Sequence, residues 1–272
     1  MKNNVFFDNQ IFLYQKFGGI SRYFIDLFCA FDRIRYPFAF FRLVSQNEYL
    51  HRYASTNSIF FDFTNAHFKG KIRVMLYLNK ILFAFSSIFL NYKIAHHTYY
   101  DPFYFRRKKA KHLITVYDMI HEVFPSSDTS LYRAKKKECI DKSDIIIVIS
   151  HSTAQDLKRI YNVPDEKIRV VYLSSTLKFI EGKVKVDLPK NYILFVGLRA
   201  WYKNFKPFIS AIAKLLVENE SLYLICAGGG DFDEDEISFL KSLQIQTKVI
   251  KKDITSDDIL ASLYRNAIFF VF

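Results

Sequence analysis

The chain has 272 residues, half of them hydrophobic, with 29 Phe, 18 Tyr, 8 Gly and 6 Pro; this supports a large core and excludes disordered, linker-like and collagen-like chains. Cys29, Cys139 and Cys226 stand far apart with no CxxC, which argues against a disulfide scaffold or zinc site and reads as buried thiols of a cytosolic protein. The formal net charge of +12 lies entirely in residues 1–178, with 27 basic and 15 acidic residues, whereas residues 179–272 hold 12 of each.

Asp8, Asn9 and Gln10 interrupt the first apolar stretch, so no export signal is expected. Ile20, Tyr23, Phe24, Leu27, Phe28 and Phe31 recur at helical spacing and predict one apolar stripe. The run from Met75 to Leu90 is interrupted by Asn79 and Lys80. It falls short of the ~20 residues that span a bilayer and predicts a buried or interfacial helix. Leu113–Val116 and Ile145–Ile149 are short runs rich in Ile and Val, as in strands buried on both faces. Ser152-Thr153-Ala154-Gln155 has a capping-box pattern that predicts a helix start, and Asn162-Val163-Pro164 predicts its end. Ile168–Tyr172 predicts the next strand.

The polar stretch from Glu181 to Lys190 reads as a linker, after which the pattern restarts. Tyr192–Val196 predicts a strand with Gly197 at its turn, and Phe205, Phe208, Ile209, Ile212, Leu215 and Leu216 predict a helix. Leu222–Cys226 predicts a strand followed by the Gly228-Gly229-Gly230 turn. A helix near Asp235–Leu243, a strand at Thr247–Ile250, a helix near Ser256–Arg265 and a strand at Ala267–Phe272 complete the pattern. The class is therefore α/β, with one unit over residues 1–178 and a second over 179–272. Ligands are expected at the carboxyl ends of the strands. Ala267–Phe272 is expected at a sheet edge, because a fifth strand does not follow it; an uncovered apolar edge predicts poor solubility.

Three segments carry candidate chemistry. Gly18 and Gly19 precede the first amphipathic helix, either letting backbone N–H groups approach an anion or simply making a tight turn. Arg199 and Lys203 follow a buried strand that ends at Gly197, where two cations and free N–H groups suit a diphosphate. Asp118, His121 and Glu122 follow another buried strand. Asp118 or His121 there is placed to orient a hydroxyl or take a proton, though a packed or capping histidine has the same signature. Asp231-Phe232-Asp233-Glu234-Asp235 contains a D-x-D but opens a helix, where acidic residues complement the dipole without a metal. The basic clusters Arg106, Arg107, Lys108, Lys109, Lys111 and Lys135–Lys137 suit a polyanion or a solvated face. They lack a nucleic-acid-binding motif.

In order, these segments resemble the retaining GT-B glycosyltransferases of family 4, in particular the mannosyltransferase-like enzymes of bacterial surface polysaccharides. Gly18 to Phe24 is similar to the family's N-terminal glycine loop, and Val116 to Pro125 to its loop after a central strand. Val196 to Arg199 with Tyr202-Lys203-Asn204-Phe205 resembles its phosphate-binding segment, and Ala227 to Gly230 its later glycine turn. The resemblance implies two Rossmann-like domains facing across a cleft, the second incomplete. It implies transfer of a hexose, with mannose from GDP-mannose as the suggested instance, to a lipid-linked surface glycan such as O-antigen or capsule. Gly18, Gly19, Gly197, Arg199, Lys203 and Asn204 would hold the sugar nucleotide, and Asp118, His121, Arg199 and Lys203 would serve the reaction. No cofactor or metal and no nucleic acid is implied. The partners would be the sugar nucleotide, the glycan acceptor and an anionic membrane surface at the inner face of the cell membrane. Where some relatives carry a His before the Asp, this chain has Tyr117. The family's E-x7-E segment is absent, so the chain reads as C-terminally truncated. The alternative expectation is an inactive remnant or a binding subunit.

Overall fold

A computed structural model describes residues 4–40, 44–54, 61–62, 69–89, 92–105, 109–175, 177, 186–199 and 201–271. The chain divides into two units, Met1–Ser174 and Ser175–Phe272.

In the first unit, runs of three to six residues form an all-parallel sheet. Its strands are β1 (Val5–Phe7), β2 (Phe38–Phe40), β5 (Ile94–His97), β6 (Lys111–Val116), β7 (Ile145–Val148) and β8 (Ile168–Val170), ordered β2-β1-β5-β6-β7-β8. A separate parallel pair joins β3 (Val44–Ser45) to β4 (Phe61–Asp62). The helices are α1 (Gln10–Tyr14), α2 (Gly19–Arg33), α3 (Glu48–Ala54), α4 (Lys71–Phe89), α5 (Ile120–Val123), α6 (Ser130–Asp141) and α7 (His151–Tyr161). Parallel strands need crossovers, and their burial on both faces explains the dense Ile and Val of β6 and β7.

The stripe predicted for α2 packs as expected: Phe24, Ile25 and Phe28 are buried beneath it. Phe7 of β1 meets Phe24 and Phe28 edge-on at 6.1 and 4.9 Å. Such pairs add about 0.5–1.5 kcal/mol each beyond area burial. Helix α7 starts earlier than its predicted box. Ser150 is the cap, its Oγ accepting the Thr153 N–H at 3.1 Å, and Ser152–Gln155 lies inside the helix. The cap at 150 wins because β7 ends two residues before it, so the chain turns there. Asn162 ends α7 in the left-handed conformation (φ 52°), as its position before Val163-Pro164 predicts.

The second unit alternates β9 (Asn191–Val196), α8 (Phe205–Glu218), β10 (Leu222–Ala227), α9 (Glu234–Ser242), β11 (Val249–Lys252), α10 (Asp257–Asn266) and β12 (Phe269–Val271). Its parallel sheet runs β11-β10-β9-β12. Strand β12 pairs with β9 and lies at the edge among the described residues, with Phe269 and Phe270 each about half exposed. Cys139 and Cys226 are buried, and burial pushes the Cys226 thiol up to about 12. Cys29 corrects the expectation of three buried thiols: it is exposed, on the outer face of α2. Residues 106–108, 181–185 and 272, on which part of the basic cluster, the linker and the last strand were expected, lie outside the described residues. No helix among the described residues is long and apolar enough to cross a membrane.

Candidate functional site

In the second unit two glycine turns meet at the carboxyl ends of adjacent strands. Gly197 leaves β9 with φ +111°, and its N–H donates to the Ala227 carbonyl at 2.9 Å, extending the ladder by one rung. Gly228, Gly229 and Gly230 follow β10 with φ of +79°, +79° and +75°. A Cβ on Gly229 would stand 2.8 Å from the Gly197 carbonyl oxygen, so the two turns nest backbone against backbone. Only glycine supplies both this close approach and the positive φ.

Arg199 locks the nest. Its Nε and Nη2 donate to Glu236 Oε1 and Oε2 at 2.7 and 3.1 Å. Nη1 donates to the Gly228 carbonyl at 3.3 Å and Nη2 to the Asp231 carbonyl at 2.8 Å. The guanidinium lies 4.5 Å from the Phe232 ring centroid, and the side chain is only 4% exposed. Sequence placed Arg199 correctly at the strand end. The structure turns its charge onto Glu236 and the glycine turn.

Lys203, half-buried, closes the single turn Trp201–Lys203. Asn204 follows in the left-handed conformation (φ 51°) at the N-cap position of α8, without a side-chain cap bond. Asn tolerates that conformation better than most residues, which explains its place here. The Phe205 and Lys206 N–H groups of the first turn of α8 have no partner within the helix; Pro207 has no N–H, and the Phe208 N–H donates to the Asn204 carbonyl at 3.0 Å. Beyond β9, then, stand a lysine, a helix N-terminus and a backbone free of Cβ atoms at Gly197.

The acidic run after the glycines is structural. Asp233 Oδ1 accepts the Glu236 N–H at 2.7 Å, and Glu236 Oε2 accepts the Asp233 N–H at 3.1 Å, a reciprocal cap for α9. Asp231 pairs with Lys251 at 2.6 Å, which holds its carboxyl below the usual range, and Asp235 pairs with Lys206. Among the described residues no group of three or more His, Cys, Asp or Glu could hold a metal ion.

In the first unit, Asp118 and His121 lie just past β6. Asp118 Oδ1 accepts the Ile120 N–H at 3.1 Å and so starts α5. The His121 ring meets Tyr132 edge-on at 4.9 Å. Both side chains are half-buried. A clamp lies behind this loop: Lys136 Nζ donates to the Asp118 carbonyl at 2.7 Å and to Glu122 Oε2 at 3.0 Å. Tyr161 donates to Glu122 Oε1 at 2.9 Å. Lys136 is fully buried, Glu122 is 2% exposed, and the ammonium lies over the rings of Tyr100 and Tyr132. In the sequence Lys136 stands in the middle of a basic run and gives no sign of burial.

Gly19 is the first residue of α2, with open space where a Cβ would stand. Gly18 is extended, and its lack of Cβ makes room for Gln15, whose Oε1 accepts the Ser21 N–H at 3.1 Å. One first-turn donor of α2 is thus already capped from within the chain.

A further buried network went unread. Asp8, 1% exposed, accepts Gln10 Nε2 at 2.7 Å, the Thr98 N–H at 3.1 Å and the Thr98 hydroxyl at 2.5 Å. His97 Nδ1 donates to Asp8 Oδ2 at 2.9 Å, and its Nε2 lies 2.8 Å from His112 Nδ1. Phe105 stacks on His97 at 3.7 Å. The network ties together the ends of β1 and β5. Its sequence signal was Asp8-Asn9-Gln10 directly after an apolar run, which reads only as an interruption. His96, on the other face, bonds Thr115 Oγ1 at 2.9 Å, and burial pushes its pKa down to about 3.

Against known proteins, the family model described as Glycosyltransferase Family 4 matches residues 17–174, and that described as Glycosyl transferases group 1 matches residues 178–272. Over 154 residues the chain is 27% identical to an uncharacterized glycosyltransferase of Methanocaldococcus jannaschii, covering 52% of this chain and 39% of that protein. Over 157 residues it is 28% identical to the O-antigen chain mannosyltransferase RfbU of Salmonella typhimurium, covering 57% of this chain and 43% of that protein. The match spans less than half the length of either relative. The fold is similar to that of Anabaena HepE, solved in complex with UDP-glucose, with a TM-score of 0.67 at 13% identity over 98% of this chain and 72% of that one.

Proposed function

The chain belongs to glycosyltransferase family 4, and on that premise we propose that it transfers a hexose from a sugar nucleotide to a lipid-linked surface glycan, with retention at the sugar. Mannose from GDP-mannose is the leading donor, supported by the similarity to an O-antigen chain mannosyltransferase. The observation that carries the donor half is the nest of Gly197 and Gly228–Gly230 beside Lys203 and the start of α8.

In this reading Lys203 and the first-turn N–H groups of α8 hold the donor diphosphate. Positive charge then stands where the leaving group gains negative charge, which is electrostatic catalysis by prearranged groups. Asn204 sets the entry of the helix, and Gly197 keeps side-chain bulk away from the phosphates. Arg199 is a positioning residue: it shapes the turn that the diphosphate meets. In the first unit, Gly18 and Gly19 contribute to donor binding, while Asp118 and His121 orient the sugar or the acceptor hydroxyl. No metal or other cofactor takes part in this scheme. The acceptor's lipid carrier calls for contact with an anionic membrane, in keeping with the basic excess of residues 1–178.

The test is transfer of labelled hexose from a sugar nucleotide to a lipid-linked glycan, with and without EDTA. Transfer indifferent to EDTA and strongly reduced by Lys203→Ala supports the scheme. Transfer that requires a divalent metal, or that survives Lys203→Ala unchanged, contradicts it.

A further inference from the structure

Helix α4 is apolar on two opposite faces. Met75, Asn79 and Phe83 point inward and are 0%, 0% and 3% exposed. Asn79 is satisfied there, bonding Asn9 and donating to the Met75 carbonyl, and Lys80 pairs with Asp101 at 2.7 Å. Of the two residues that interrupt the apolar run in the sequence, Asn79 is therefore satisfied in the interior and Lys80 is neutralised by Asp101. The opposite face carries Val74, Tyr77, Leu78, Ile81 and Phe85, exposed by 36–68%. These positions fall at i, i+3, i+4, i+7 and i+11, one continuous stripe on the outside of the helix. A helix with two opposite apolar faces is ordinarily buried on both; this one is buried on one only.

Charge indicates what covers the stripe. Lys71 and Arg73 lie in the first turn of helix α4, which contains no Asp or Glu, and Lys69 precedes it. It lies within residues 1–178, which hold the whole basic excess of the chain. An apolar stripe with two aromatic side chains on it and cations at one end suits a helix lying in the plane of an anionic bilayer, its stripe among the acyl chains. At ~1.5 Å per residue the helix is long enough to lie along the surface by several turns, and no helix among the described residues can cross.

We propose that the outer face of α4, centred on Tyr77, Ile81 and Phe85, is a docking surface for anionic lipid. This deepens the membrane part of the function proposed above and identifies the surface that makes the contact.

The experiment is flotation of the 272-residue chain with vesicles of phosphatidylethanolamine and phosphatidylglycerol, and with neutral phosphatidylcholine vesicles. Wild type should float with the anionic vesicles and release as salt rises. Tyr77→Ser with Phe85→Ser should lower partitioning roughly ten- to a hundredfold, the effect of removing two half-buried aromatic contacts. Lys69→Ser with Arg73→Ser should lower it by roughly fivefold for each cation. As a readout that leaves most of the stripe intact, a fluorophore on Tyr77→Cys should be quenched by nitroxide lipids, whereas one on Lys214→Cys of α8 should not, both in a Cys29→Ser background because Cys29 is exposed. Flotation unchanged by the Tyr77/Phe85 pair, or no flotation of wild type, overturns the proposal. So does a dimer that the same pair dissociates without any vesicle binding, which would make a second copy the occupant. Sugar-nucleotide binding measured on the same samples separates the two ideas. Retained nucleotide binding without flotation sinks the docking surface alone, and flotation without nucleotide binding sinks the transferase reading alone.

Discussion

Replacing Lys136 with Met removes the ammonium that faces Glu122 and keeps an apolar stem against Tyr100 and Tyr132. Glu122, 2% exposed, is then left with the Tyr161 hydroxyl, and the Asp118 carbonyl loses its donor. Breaking one side of a buried ion pair costs about 3–5 kcal/mol, because the remaining charge is uncompensated. Against a domain stability of ~5–15 kcal/mol, that is a large part of the whole. The double change Lys136→Met/Glu122→Gln removes the stranded charge and should recover most of the loss, giving a coupling of at least about 2 kcal/mol. Urea unfolding of wild type, the two single variants and the double variant measures that coupling. Amide exchange at Ile120–Phe124 should speed up in Lys136→Met, because the clamp holds the loop that carries Asp118 and His121. A Lys136→Met variant within about 1 kcal/mol of wild type, or a double variant no better than the single, would refute the reasoning.

Three further outcomes are expected. Lys203→Ala should weaken nucleoside diphosphate binding about ten- to a hundredfold, the ~1.5–3 kcal/mol of a charge-assisted bond, whereas Arg199→Ala should chiefly lower the melting temperature by stranding Glu236; the reverse pattern in calorimetry and thermal unfolding would make Arg199 the ligand group. Gly229→Ala forces a Cβ toward the Gly197 carbonyl at positive φ and should cost roughly 1–3 kcal/mol, whereas Gly230→Ala, with nothing within 4 Å of its Cβ position, bears only the φ strain; equal melting points for the two would show that the nest is not a constraint. Buried neutral His96, with a pKa of about 3, binds its proton less readily when folded than when unfolded (about 6.5). Its contribution is full above pH ~6.5 and falls by about 1.4 kcal/mol per unit toward pH 3; His96→Leu should flatten that part of the stability–pH curve, and an unchanged slope would contradict the assignment.

Long apolar periods made most of the fold legible in the sequence. The stripe of α2, the Ile and Val runs of β6 and β7, and the whole second unit from Tyr192 onward lie where the spacing put them, within a residue or two. What escaped was short or polar. Strands β1 and β2 have three residues each, and β5 is Ile94-Ala95-His96-His97; two histidines in four residues give no strand signal. They are tolerated because His97 is held by Asp8 and His112, and His96 by Thr115, contacts made across the sheet that no local pattern contains. In the candidate site, glycines at strand ends marked Gly197 and Gly228–Gly230, because positive φ at a turn is a local property. The direction of the Arg199 side chain was not legible, since Glu236 stands 37 residues away. Nor was the burial of Lys136, because charge within a basic run ordinarily means solvent.

The central claim is that the second unit holds a sugar nucleotide by its diphosphate, with Lys203 as the cation and the glycine nest as the floor. Isothermal titration of the chain against GDP-mannose, UDP-glucose and UDP-N-acetylglucosamine, each beside its nucleoside, tests it most directly. The account predicts saturable binding of at least one sugar nucleotide, far weaker binding of its nucleoside, no effect of EDTA and a loss of about ten- to a hundredfold in Lys203→Ala. Nucleoside and sugar nucleotide binding equally well, or Lys203→Ala binding like wild type, would contradict it.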